Sequence, residues 1–141
     1  MRSERLGELL PNQCEVTYIN TIEVPDESNP YHQFHRITPV CAGQPKMPNQ
    51  LDPENTSAQI RYILKEDDEP FGRVYINFSP VIRSSDLTPA VQLDITVRAR
   101  PTAQSIEAAI GLLDREREIV VRTFAAVTTS EMHRLWERTD V

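Results

Sequence analysis

The sequence predicts an α+β fold: a four-stranded, mainly antiparallel sheet covered on one face by a long C-terminal helix, followed by a short capping helix. Three observations lead there. Between Thr102 and Val127 the apolar residues Ile106, Ala109, Ile110, Leu113, Val120, Phe124 and Val127 recur at threes and fours, which lines one helical face. Upstream, four runs rich in β-branched residues alternate apolar and polar side chains, the period of a half-buried strand. That alternation leaves each strand one wet face, whereas a parallel sheet buried on both sides would show continuous apolar runs. The long helix is the only extended apolar stripe available to cover the other face.

The elements follow in order. Ser3 to Leu10 can form a helical turn that Gly7 weakens and Pro11 ends. Cys14 to Val24 reads as the first strand, with Cys14, Val16, Tyr18, Asn20 and Ile22 on one side. Between residues 25 and 56 six prolines exclude a long helix or a central strand, leaving a long proline-rich loop with at most a helical turn around Tyr31 to Arg36. Ala58 to Leu64 and the run holding Val74, Ile76 and Phe78 flank the polar break from Lys65 to Pro70, a β-hairpin pattern that Pro80 is expected to close. Val91 to Val97 alternates most cleanly, with Val91, Leu93, Ile95 and Val97 inward. Pro101 and Thr102 introduce the long helix, with Thr102 as its N-cap. Thr128 and Glu131 then fit a capping box, with Val127 and Met132 as a hydrophobic staple, opening a short helix anchored by Leu135 and Trp136.

Composition bounds the class. A chain of 141 residues suits one core, so residues 1–141 are expected to form a single domain. Hydrophobic residues at 39% and charged residues at 26% are ordinary for a folded protein and too apolar for a disordered one. A net charge of −6 and a pI near 5.1 argue against general attraction to nucleic acid or anionic lipid, and neither partner is expected. No run approaches the roughly 20 apolar residues of a membrane helix, and the first ten residues are charged where a signal peptide needs an apolar stretch. With only Cys14 and Cys41 available, no disulfide scaffold is expected, and a cytoplasmic location follows.

Two stretches resemble a known family. Asn12-Gln13-Cys14-Glu15-Val16-Thr17-Tyr18-Ile19-Asn20 is similar to a phrase common in a sporadically distributed prokaryotic family of uncharacterised proteins, about twice this length. The C-terminal run Leu112-Leu113-Asp114, Arg117-Glu118, Ile119-Val120-Val121, Phe124, Thr128 and Leu135-Trp136 resembles that family's ending. Arg117 stands where the family pattern has histidine. The resemblance implies that this chain corresponds to the C-terminal half of the family's usual length. It implies no activity.

Three sets of residues are candidate sites. His32-x-x-His35 with Cys41 has metal-ligand residue types, and two histidines three apart can face one way on a helical turn; the spacing matches no standard zinc pattern, and a surface loop is the alternative. Arg117 falls between Leu113 and Val120 on the expected buried stripe, where a guanidinium needs an anion or a partner unless it reaches water over its own stem. Together with Tyr18 and Tyr62 it would supply polar contacts in a cavity between sheet and helix. The acidic run from Lys65 to Glu69 lacks the spaced ligands and central glycine of a calcium loop and reads as a hairpin tip. The arginines of the long helix are interleaved with acids, as on a solvated face.

No catalytic or cofactor motif is present in this pattern, so no cofactor and no catalytic residue is expected. The leading expectation is a protein-interaction or assembly module, engaging a partner protein or a second copy that supplies the missing half. A small-molecule-binding domain using Arg117, Tyr18 and Tyr62 is the alternative, followed by a metal-dependent enzyme using His32 and His35.

Overall fold

Alternation becomes four strands in one open sheet. The computed structural model describes residues 13–23, 29–40, 47–85 and 87–139, with side chains excepted at 32, 33, 135 and 137–139. The strands are β1 (Cys14–Ile22), β2 (Ala58–Glu66), β3 (Glu69–Ile82) and β4 (Pro89–Ala99), in the order β1-β4-β3-β2 with every neighbour antiparallel. Register aligns the inward residues in rows: Cys14, Ala99, Gly72 and Leu64; Val16, Val97, Val74 and Tyr62; Tyr18, Ile95, Ile76 and Ile60; Asn20, Leu93, Phe78 and Ala58. The expected turn around Ser3 to Leu10 lies outside the described residues.

The β2–β3 hairpin turns on Asp67 and Asp68, whose φ values of 52° and 66° are the left-handed pair that a two-residue type I′ turn requires. Pro80 does not end β3, which continues to Ile82. At Pro80 the strand has passed the start of β2 at Ala58, so its missing N–H faces no β2 partner and costs no ladder bond on that side.

The long helix α1 spans Ile106–Val127 and is capped by Ser105, whose hydroxyl accepts the Ala108 N–H at 3.0 Å. Thr102 therefore is not the cap: the chain is still extended at Ser105, with φ −140° and ψ 157°. The buried stripe is also rotated from the expected one. Ala109, Leu112, Glu116, Val120 and Val127 face inward, while Ile106 and Ile110 are more than half exposed at 52% and 55%. Spacings of three and four run through the observed stripe, but a carboxylate occupies its middle, which is why apolar periodicity missed it.

Helix α2 (Ser130–Thr139) starts from Thr129, whose hydroxyl accepts the Met132 N–H at 3.2 Å. The cap expected at Thr128 thus falls one residue later, and the capping box does not form, because Met132 stands where its Glu or Gln would be and Glu131 pairs with Arg36 instead. Thr128 instead donates to the Phe124 carbonyl at 2.6 Å and lies 2.7 Å from His133 Nε2.

The proline-rich segment is not a bystander. A 3₁₀ turn over Pro30–Arg36 buries Tyr31 and Phe34, followed by Ile37 and Thr38. Phe34 meets Phe78 edge-on with ring centroids 5.8 Å apart, and the Tyr31 hydroxyl donates to the Ala90 carbonyl at 2.9 Å. Burial pushes the Tyr31 phenol up to about 12, so it remains a donor. The same segment holds α2 in place: the Thr129 N–H donates to the Ile37 carbonyl at 3.0 Å, and Arg36 pairs with Glu131.

Candidate functional site

Helix α1 covers one face of the sheet, as expected, but is narrower than the sheet it covers. Four strands about 4.8 Å apart place the two edge strands about 14 Å from each other, wider than the roughly 10 Å of a helix. It packs chiefly on β1 and β4. The apolar rows continue on β3 and β2, and there they face an open groove of about 460 Å³. Tyr62, Leu64, Val74 and Ile76 form its floor, Ile119, Thr123 and Ala126 of α1 form one wall, and Pro39 and Val40 close an end. Arg122 stands at the rim, paired with Glu118 at 2.6 Å. Tyr62 is 54% exposed.

Of the expected cavity residues, the structure brings only Tyr62 to the groove. Tyr18 lies on β1 at the other edge of the sheet, its ring edge-on to Phe124 at 5.2 Å. Arg117 does not face the sheet: its side chain is 64% exposed and pairs with Asp114 at 2.7 Å. The rotation of α1 that turns Glu116 inward carries its neighbour outward. His32 and His35 sit on the 3₁₀ turn, with His35 exposed; the His32 side chain and Cys41 lie outside the described residues. Among the described residues no group of three or more His, Cys, Asp or Glu is placed to hold a metal ion. Nor is any described helix long and apolar enough to cross a membrane.

Glu116 is the feature that pattern reasoning missed. It is fully buried, and neither carboxylate oxygen has a hydrogen-bond partner. The row beneath this end of α1 is Cys14, Ala99 and Gly72, small residues that leave room for a long side chain. Gly72 allows β3 and β4 to approach, since a Cβ there would lie 2.5 Å from the Arg98 carbonyl oxygen. Burial, aided by the charge of Glu15, pushes the Glu116 carboxyl up to about 7; the Ala99 N–H counteracts part of this without reaching hydrogen-bond geometry. The Cys14 thiol, buried nearby with Sγ 3.9 Å from the Ala109 carbonyl, is pushed up by its own burial and by Glu116. A thiol held protonated in this way is a poor nucleophile.

Comparisons with family models, curated proteins and solved structures return no match. The groove did have a sequence signal, since four apolar strand faces and one helix cannot balance. Glu116 had a fainter one, a charge at the helical spacing of Leu112 and Val120.

Proposed function

We propose that the chain is a protein-interaction module that accepts a partner strand along β2, with the partner's apolar side chains entering the groove beside α1. The half-covered sheet carries this reading. β2 is an edge strand with no second strand partner among the described residues, and its inward residues Ile60, Tyr62 and Leu64 continue the apolar face beyond the reach of the helix.

Charge selects the occupant. On its outer face β2 carries Arg61 and Lys65, and a second β2 laid antiparallel on the first would gather these like charges across the new ladder. A partner strand with acidic residues on that face and apolar residues toward the groove is complementary. In an NMR titration of the labelled chain, a soluble peptide alternating valine and glutamate should shift the amides of residues 58–66 saturably, and Tyr62→Asp should abolish the effect. Unmoved β2 amides, or equal binding of a valine–lysine peptide, would refute it.

The groove's volume also favours a second reading, a small apolar ligand, because binding cavities commonly span roughly 300–1,000 Å³. Native mass spectrometry separates the two, since a carried ligand adds a discrete mass.

A further inference from the structure

The sheet face turned away from α1 carries a polar trough along the β2–β3 ladder. Arg61 stands opposite Tyr75 and Gln59 opposite Asn77, and the trough continues between Ser57 and Ser79. Two adjoining hollows of about 480 and 500 Å³ share Gln59 and Asn77. The side chains rise from two paired strands, so the backbone ladder holds their spacing.

The charge at one end is unbalanced. The Arg61 guanidinium lies 5.3 Å from the Tyr75 ring centroid, and Arg98 approaches the same ring at 5.3 Å. Arg98 is met by Glu15 at 3.0 Å, and Arg73 donates to the Gly72 carbonyl at 3.0 Å. Among the described residues neither Arg61 nor Arg73 pairs with a carboxylate, although the chain as a whole carries a net charge of −6. The Asp94 carboxylate, opposite Asn77 on β4, is engaged by the Gln92 amide at 3.0 Å.

We propose that this trough binds a phosphoryl group carried on a hydroxylated body, with the phosphate at Arg61 and Tyr75 and the hydroxyls along Gln59, Asn77, Ser57 and Ser79. A guanidinium fork and a phenol O–H together offer donors to several phosphate oxygens, and the neighbouring positive charge of Arg73 favours a dianion over a carboxylate. Side-chain amides and hydroxyls both donate and accept, which matches alcohol groups in either orientation. The site lies on the opposite face of the β2–β3 hairpin from the groove and shares Gln59 and Arg61 with the proposed docking strand, so it is tested with no peptide present.

The test is a titration of the full chain with ribose 5-phosphate at constant ionic strength, read from the side-chain amide signals of Gln59 and Asn77 and the Nε signal of Arg61. Saturable shifts are expected, weakened at least about tenfold in Arg61→Gln and unchanged in Arg115→Gln. Tyr75→Phe, which keeps the ring and removes the donor, should weaken binding to a lesser degree. A short thymidine oligonucleotide, whose phosphodiesters are monoanions on a backbone without free ring hydroxyls, should bind more weakly, and its saturating the same signals at lower concentration would overturn the assignment. It is also overturned by an absence of saturation, by Arg61→Gln binding like the parent, or by acetate competing as well as phosphate.

Discussion

Glu116 is fully buried with both oxygens unpartnered, so its ionised form is the expensive one. Its carboxyl is raised from the ordinary 4.5 to about 7, so the folded state holds a proton that the unfolded chain releases. Stability attributable to this residue is therefore full below about 4.5 and is lost as pH rises toward 7, on the order of 3 kcal/mol in all. Urea denaturation of Glu116→Gln should show a variant close to the parent at pH 5 and more stable at pH 8. An identical pH slope in both proteins would show that Glu116 ionises freely. Of the two residues either side of it in the buried stripe, Val120 belonged to the expected apolar spacing, whereas Leu112 did not, its neighbour Leu113 standing there instead.

At the scale of elements, the 3₁₀ turn Pro30–Arg36 is the piece whose weight was illegible in advance. Its prolines marked it as a connection, and the burial of Tyr31, Phe34 and Ile37 depends on where the loop passes under the sheet end. If the segment closes the core, Phe34→Ala should cost about 3–5 kcal/mol in a denaturation midpoint analysis. A change within about 0.5 kcal/mol would return it to the status of a surface loop. The strands were readable because period-two alternation records which face is buried. Their ends were less so: Pro80 looked like a terminus, and only the short reach of β2 explains why β3 passes through it.

The molecule as a whole is lopsided. Helix α1 protects the β1–β4 side, while β2 has one strand neighbour and little cover. Hydrogen–deuterium exchange should therefore find the amides of β2 opening well before those of β4, by tenfold or more in rate. Uniform protection across the sheet would mean that the groove side is covered in solution, and a partner strand or ligand retained on purification would be the first explanation to examine. The groove and the outer trough share the β2–β3 hairpin, so one exposed element presents an apolar face and a cationic face to different ligands.

The sequence by itself determined the fold class, the four strands, the wet and dry faces of each, and the presence of one long and one short helix, because these depend on local periodicity. Strand order, the rotation of α1 and the path of the proline-rich segment were decided only in three dimensions, where a helix narrower than the sheet must choose which strands to cover. That choice leaves Tyr62 in a groove and turns Arg117 to solvent, and it buries Glu116 over a row of small residues. Local pattern carries only a faint signal of those outcomes, since each depends on which surfaces meet after the elements have formed.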